Sequence, residues 1–248
     1  MNFMERLAQT MPAHVKPYTL EQMQDIHQRE SKELGRRVDE QNQQTRVSKA
    51  LGRSGIKKRH QCCSFDNFFI QNNGQQHAFN ESKTLSEDLL NERACSGFVF
   101  AGTPGTGKNH LACAIANQML QKKRSVVILT VAELMLKFRD TYRQGSTITE
   151  TELFRFLSHV DLLVIDELGV QHNSNNERVI INRLIDERYT LEKPTGVITN
   201  LQSDELITTL GRAAIDRIME DGKWITFKWP SFRANRKGAG YASRNVTK

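Results

Sequence analysis

The chain has 248 residues, of which 38% are hydrophobic and 25% are charged, and its net charge is +7. This length allows one good-sized domain with an appendage, and the composition is ordinary for a protein that buries a core. No apolar run approaches the ~20 residues of a membrane span, and the early charges at Glu5 and Arg6 argue against a secretory signal. The four cysteines, at positions 62, 63, 95 and 113, lack the spacing of a metal site or a disulfide framework. We therefore expect a cytoplasmic protein with free thiols and no membrane partner.

The charge is distributed unevenly along the chain. Residues 1–64 contain 12 Lys and Arg against 7 Asp and Glu, and residues 212–248 contain 9 against 3. The intervening residues 65–211 contain 14 against 18 and are mildly acidic. Basic ends favour an anionic partner such as nucleic acid, although a solvated basic surface would have the same composition.

Residues 1–55 form a separate region of low apolar content. Thr19 and Gln22 have the spacing of a capping box, so we expect a helix to start there and to run towards Ala50. Its apolar residues are too sparse to build a core alone, which predicts packing on a partner or partial disorder. A basic linker at 56–66 is expected to lead into a globular domain at 67–248.

A glycine-rich loop with the sequence GTPGTGKN occupies residues 102–109. It follows an apolar run that predicts a strand, and it precedes apolar residues at helical spacing. Strand, glycine loop and helix in this order are typical of a phosphate-binding loop, whose backbone N–H groups point at phosphate oxygens. We expect the loop and the residue after it to bind ATP. These residues are Gly102, Thr103, Pro104, Gly105, Thr106, Gly107, Lys108, Asn109 and His110.

Two side chains of this loop have separate roles. Lys108 brings a positive charge to the β- and γ-phosphates. The next position usually carries Ser or Thr, whose hydroxyl binds Mg²⁺, and here it is Asn109. The departure therefore affects the metal and not the phosphate cradle, and the amide oxygen of Asn109 remains available as a ligand.

Polar side chains follow two further predicted strands. The buried strand at 161–165 ends at Asp166 and Glu167, and the strand at 195–199 ends at Asn200. Open parallel sheets bind ligands at this edge, so Asp166 is expected to hold Mg²⁺ and Glu167 to polarise a water for attack on the γ-phosphate. Asn200 would bond that water or the γ-phosphate. Taken alone, each could be only a strand end before a helix or a turn.

Strands and helices alternate along the predicted domain. The strands lie at 97–101, 125–130, 161–165, 195–199 and 224–227, with helical segments between them. Such alternation predicts an α/β fold with a parallel sheet sandwiched by helices. We expect a P-loop domain with a small C-terminal helical and strand part, preceded by a mainly helical N-terminal extension.

The glycine loop, the LLVIDE strand and the ITN strand resemble those of the AAA+ ATPases in order and spacing. The chain is more similar still to one branch, the bacterial DnaC-type helicase loaders, in which Asn follows the loop lysine. The likeness extends over nearly the whole chain. The other segments that carry it are MPAH at 11–14, RSGI at 53–56, CSF at 63–65, PGTGKNHLA at 104–112, TVA at 130–132 and DR at 216–217.

This resemblance implies functional residues beyond the loop. Arg217 matches an arginine finger that reaches the γ-phosphate bound by a neighbouring subunit of a ring or spiral, and Arg233 matches a sensor that touches the nucleotide in its own subunit. Initiator-type AAA+ proteins carry an extra helix that faces the channel of the ring, and basic and aromatic residues there would bind single-stranded DNA. An ordinary amphipathic helix would look the same. The residues concerned are Lys137, Arg139, Tyr142 and Arg143.

The resemblance also implies a function. Such loaders use ATP and Mg²⁺, bind the DnaB-type replicative helicase through their N-terminal region and deliver it to unwound DNA, and we expect slow, partner-stimulated ATP hydrolysis. An IstB-like AAA+ transposition helper is the alternative within the same branch. A P-loop kinase for small molecules would need an acceptor pocket and a lid, which no segment suggests. A non-hydrolysing adaptor is disfavoured by the pair Asp166 and Glu167.

Overall fold

A computed structural model describes residues 18–50, 55–91, 93, 95, 97–169 and 175–232. The chain divides into two compact units, Met1–Thr45 and Arg46–Lys248. None of the described helices is long and apolar enough to cross a membrane.

The described part of the first unit is helical. Helix α1, Leu20–Ala50, begins in this unit, and its last residues belong to the second unit. The predicted capping box is confirmed, because the Thr19 N–H donates to Gln22 Oε1 at 3.0 Å and the Gln22 N–H donates to Thr19 Oγ1 at 3.3 Å. Four apolar side chains on this helix are exposed, which is unusual for a helix that packs against its own domain. They are Met23, Ile26, Leu34 and Val38.

The second unit contains the predicted alternation of strands and helices. Two helices cover residues 203–219 and meet at Gly211, whose φ of 96° breaks the helical path. In chain order after α1, the elements are α2 (Asn73–Leu90), β1 (Gly97–Gly102), α3 (Lys108–Gln121), β2 (Val126–Thr130), α4 (Val131–Thr141), α5 (Glu150–His159), β3 (Leu162–Leu168), α6 (Asn175–Thr190), β4 (Thr195–Thr199), α7 (Ser203–Leu210), α8 (Arg212–Met219) and β5 (Lys223–Phe227).

The five strands form one parallel sheet in the order β2-β3-β4-β1-β5. Strand β1 therefore lies between β4 and β5. Because all strands are parallel, the loops that follow β1, β3 and β4 emerge at the same edge. The predicted parallel sheet is confirmed, and it brings three segments that are distant in sequence to one place.

Alternate residues of each strand contribute to two separate cores. Phe98 and Phe100 of β1 face the core that includes α2 and α3, whereas Val99 faces the core built with α4 to α8. Both faces of the sheet are thus covered by helices, as predicted. Cys63 and Phe65, within the segment expected to be a linker, are buried in the first of these cores.

Candidate functional site

A cavity of about 650 Å³ lies at the carboxyl edge of the sheet. This volume is within the usual range of small-molecule sites, about 300–1,000 Å³. The glycine loop between β1 and α3 forms its floor, and residues at the carboxyl ends of β3 and β4 form one side. Of the predicted site residues, the cavity is lined by Pro104, Gly105, Thr106, Gly107, Lys108, Asn109, His110, Asp166, Glu167 and Asn200.

The glycine loop has the backbone that an anion cradle needs. Gly105 and Gly107 have φ values of 80° and 101°, a region that other residues rarely adopt. A Cβ atom on Gly107 would also lie 2.7 Å from Cε2 of Phe68. Helix α3 begins directly after Gly107, so its N-terminal N–H groups and its positive dipole end face the cavity.

Lys108 is held at the base of the loop. Its side chain is buried, and its Nζ donates to the carbonyl oxygens of Gly102 at 2.7 Å and Thr103 at 2.9 Å. A third bond, of 2.9 Å, reaches Oδ1 of Asn200. Burial lowers the pKa of Lys108 to about 8, while the charge of Asp166 opposes this shift. The geometry places the ammonium group where strands β1 and β4 end.

Asn109 and Asp166 are in direct contact. The Asn109 amide nitrogen donates to Asp166 Oδ2 at 2.6 Å. Asp166 is buried, which raises its pKa, while the bonds from the Glu167 N–H and the Asn109 amide lower it. The carboxylate oxygens of Asp166 and the amide oxygen of Asn109 are the kind of donor that Mg²⁺ prefers, and Mg²⁺ sites often use one or two protein groups together with phosphate oxygens. The donor set therefore fits this ion.

Glu167 has an unusual backbone. Its φ is 59°, in the left-handed region, and the ladder between β3 and β4 is irregular between Ile165 and Leu168. Its N–H donates to Asp166 Oδ1 at 2.7 Å, and its side chain is exposed in the cavity. A non-glycine residue in this region costs of the order of 1–3 kcal/mol and is found preferentially at functional sites. The bulge turns the Glu167 carboxylate away from the strand and towards the ligand space.

Arg217 lies outside this cavity. It is in α8, where its Nη2 pairs with Asp186 Oδ1 at 2.8 Å and its guanidinium lies 5.9 Å from the centre of the Tyr189 ring. The structure therefore does not bring Arg217 together with the loop of its own chain. Arg233 falls outside the described residues.

The residues predicted to contact DNA lie at the C-terminal end of α4. Arg139, Tyr142 and Arg143 are exposed, and Lys137 is half-buried. Arg143 pairs with Asp140 at 3.1 Å, and the Tyr142 hydroxyl donates to Glu150 at 2.5 Å. Lys137 is about 200° around the helix from Arg139, so it does not share a face with the other residues.

Sequence reasoning missed the aromatic end of the cavity. Phe68, Phe69 and Phe232 line it, and the last two rings stack with centroids 5.9 Å apart. His110 packs its ring on Phe68, and its Nε2 donates to the Ser64 carbonyl at 3.0 Å. The run SFDNFF before a helix start is the signal that could have indicated this end.

The chain is similar to known proteins over most of its length. The family model of IstB-like ATP binding proteins matches residues 18–239. The replicative helicase loader DnaC of Escherichia coli (strain K12) is 38% identical over 243 residues, which cover 97% of this chain and 98% of that protein.

Two solved structures share the fold. The crystal structure of the DnaC helicase loader has a TM-score of 0.61 and 24% identity, and the match covers 69% of this chain and 100% of that one. The structure of AMPPCP-bound DnaA from Aquifex aeolicus has a TM-score of 0.58 and 19% identity, over 78% of this chain and 58% of that one.

Proposed function

Because this chain belongs to the family of IstB-like ATP-binding proteins, in the DnaC-type branch of the AAA+ ATPases, we propose that it is an ATP-dependent loader of a replicative DNA helicase. It binds a DnaB-type hexameric helicase and single-stranded DNA, and it delivers the helicase to unwound DNA during replication initiation. The observation that carries this proposal is the match to a named replicative helicase loader over nearly the full length of both chains, N-terminal region included.

The nucleotide occupies the cavity at the carboxyl edge of the sheet. The loop N–H groups and Lys108 bind its phosphates, and the geometry of the loop supports this role. The rings of Phe68 and Phe69 pack against the base, since flat apolar rings suit a nucleobase. This end of the cavity lies beside Gly107, so one ligand can reach both regions.

Hydrolysis requires a positioned water and a compensated phosphate charge. Glu167 orients and polarises the water, and Asn200 bonds the water or the γ-phosphate. Asn109 and Asp166 would hold Mg²⁺, which offsets the negative charge of the phosphates when it is bound. The Asn109 amide nitrogen is bonded to Asp166 and the Asn200 oxygen to Lys108, which leaves the Asn109 oxygen for the metal and the Asn200 amide nitrogen for the water or the phosphate.

Self-assembly completes the site. Arg217 does not line the cavity of its own chain, which supports the role of an arginine finger in a ring or spiral of identical subunits. The ion pair with Asp186 and the ring of Tyr189 hold the guanidinium in place. Arg233 is proposed as the sensor in the same subunit.

The N-terminal region binds the helicase through helix α1. Met23, Ile26, Leu34 and Val38 are between 38% and 64% exposed. At 100° per residue these four positions fall within an arc of about 120°. An exposed apolar stripe on a helix fits a groove on a protein partner.

The proposal is tested by mass measurement of the complex with the host's helicase. The full chain with ATP is expected to form a complex heavier than the helicase hexamer. The variant Leu34→Asp should abolish it, because a carboxylate cannot be buried unpaired in an apolar groove. Gln28→Asp is the matched control, since it places the same charge on an exposed position about 120° around the helix.

Two results would contradict this assignment. A parent chain that forms no complex with the helicase would overturn the loader function. A parent chain that instead coats duplex DNA and captures a transposase would favour the IstB-like transposition helper.

A further inference from the structure

The segment after β5 contacts the backbone of the glycine loop. We call residues 228–232 the strap. The Thr103 hydroxyl donates to the Trp229 carbonyl at 3.3 Å, and the Thr103 N–H donates to the carbonyl of Phe227, the last residue of β5, at 3.1 Å. The glycine loop is therefore bound by residues more than 120 positions away in sequence.

Trp229 contacts the peptide that joins Thr106 and Gly107. Its indole Nε1 donates to the Thr106 carbonyl at 2.9 Å, in a buried position. In a trans peptide, the carbonyl and the N–H of the next residue point in opposite directions. A carbonyl of Thr106 that is held outward by Trp229 therefore directs the N–H of Gly107 inward, towards the phosphate space.

The neighbouring peptide is oriented in the same way. The Phe232 N–H donates to the Gly105 carbonyl at 2.9 Å, which directs the N–H of Thr106 away from the Phe232 backbone. Gly105 itself lies against Ser231, because a Cβ atom on Gly105 would be 2.0 Å from the Ser231 hydroxyl oxygen. The strap thus fixes the orientation of two consecutive peptide groups of the loop, Gly105–Thr106 and Thr106–Gly107.

The Trp229 ring cannot easily move away from this bond. The side chain is 8% exposed, and its ring centroid lies 5.1 Å from that of Phe227. On another side the ring packs on the start of α2, where a Cβ on Gly74 would be 3.2 Å from Cε3 of Trp229. Since packing on two sides fixes the ring, its N–H is a preorganised donor to the loop.

We propose that Trp229 is a positioning residue of the nucleotide site, which aims the Gly107 N–H at a phosphate through the bond to the Thr106 carbonyl. This inference rests on the proposed binding of nucleotide phosphates by the loop. Trp229 touches no ligand itself, so its effect is confined to the phosphate end and leaves the base end unchanged.

The test compares the two tryptophans of the chain, Trp224 and Trp229. Trp229→Phe keeps an aromatic ring in the core and removes the donor to Thr106. Trp224→Phe is the matched control, because Trp224 is a half-buried residue of β5 on the other core. The Kd of the full chain for ADP and for pyrophosphate is measured by calorimetry, together with the Tm without ligand.

Trp229→Phe is expected to weaken the binding of ADP about five- to tenfold, which is less than the complete loss of a hydrogen bond to a charged group, because the Gly107 N–H is still present but no longer held in position. The affinity for pyrophosphate should fall by the same factor, because the affected interaction is with phosphate oxygens. Trp224→Phe should leave both values within about twofold of the parent. A Trp229→Phe protein that binds ADP like the Trp224→Phe protein, or one that loses ADP affinity but keeps pyrophosphate affinity, would overturn the inference.

A second measurement keeps the test decisive if Trp229→Phe does not fold. In the parent chain labelled with 5-fluorotryptophan, saturating pyrophosphate should shift the ¹⁹F resonance of Trp229 and leave that of Trp224 in place. An unmoved Trp229 resonance under full occupancy contradicts the proposal. A parent that binds neither ADP nor pyrophosphate would instead overturn the proposed function, and this inference with it.

Discussion

Lys108 illustrates how burial and charge act together on one side chain. Its ammonium group is buried and bonded to the carbonyls of Gly102 and Thr103 and to Asn200. Among the described residues no carboxylate is bonded to it, and burial lowers its pKa to about 8 from its ordinary value of 10.5. Nucleotide phosphates would supply the missing charge, so the protonated form is the one that binds them.

We expect the affinity for ADP to fall as the pH rises through about 8. Below this value Lys108 is charged in the free protein, and above it the amine is increasingly neutral. The Kd should rise by up to about tenfold per pH unit above pH 8, since binding must then take up a proton. Calorimetry without Mg²⁺ from pH 6.5 to 9.5 measures this.

Lys108→Arg is the control for that pH series. Its guanidinium stays charged over the whole range, so its Kd should show little dependence on pH. A parent Kd that is constant from pH 7 to 9.5 would contradict the lowered pKa of Lys108.

Glu167 is the second residue with a specific expectation. Glu167→Gln removes the carboxylate and keeps nearly the same shape, so ATP affinity should stay within about twofold while turnover falls at least about 100-fold. Phosphate release with the helicase and single-stranded DNA present is the measurement. Glu192→Gln is the matched control, because Glu192 is also an exposed glutamate with a positive φ, of 53°. Turnover of Glu167→Gln at the parent rate would rule out this residue as the base.

At the scale of secondary-structure elements, we expect the C-terminal end of α4 to bind single-stranded DNA. The double variant Arg139→Ala/Arg143→Ala should bind single-stranded DNA more weakly than the parent. The slope of log K against log salt concentration should become smaller by about 1.4, which is about 0.7 for each lost phosphate contact. The double variant Arg29→Ala/Arg155→Ala is the matched control, because it removes the same number of positive charges from exposed positions outside α4. Binding isotherms at several salt concentrations compare the two pairs, and equal losses would mean that α4 has no special role.

At the scale of the whole molecule, the proposed role of Arg217 predicts that ATP hydrolysis in one subunit depends on Arg217 of its neighbour. Arg217→Ala and Lys108→Ala should each be inactive alone. In an equal mixture, about a quarter of the subunit interfaces combine an intact loop with an intact Arg217, so about a quarter of the parent ATP turnover should return. A steady-state ATPase assay measures the recovery. If the mixture stays inactive, or if Arg217→Ala alone is active, the arginine finger is wrongly assigned.

The glycine loop, its flanking elements and the parallel sheet were predictable because their signals are local. Gly105 and Gly107 are required by positive φ values, and apolar runs mark strands that are covered on both faces. Asp166 and Asn200 were correctly expected to meet at one edge, since parallel strands end together. The direct bond between Asn109 and Asp166 was not predictable, because it depends on the distance between α3 and β3.

Arg188 shows what no local pattern reveals. In the sequence it is a polar residue of a helix, yet in the structure it is fully buried. Its guanidinium donates to the carbonyls of Leu157, Val160 and Pro194, and so joins the end of α5 to the starts of β3 and β4. An arginine can be buried in this way only when most of its donors find acceptors, and those acceptors come from separate parts of the chain.

By itself, the sequence predicted the chemistry proposed for this protein: a loop for phosphates, an acidic pair for metal and water, and a helix with too few apolar residues to form a core without a partner. Residue type and short spacing suffice for these, because φ, charge and periodicity are local properties. The tertiary structure decided which side chains contact the glycine loop, such as Trp229 at the Thr106 carbonyl and Phe68 beside Gly107. Those contacts join residues far apart in the chain, and their positions follow only from the packing of helices on the sheet.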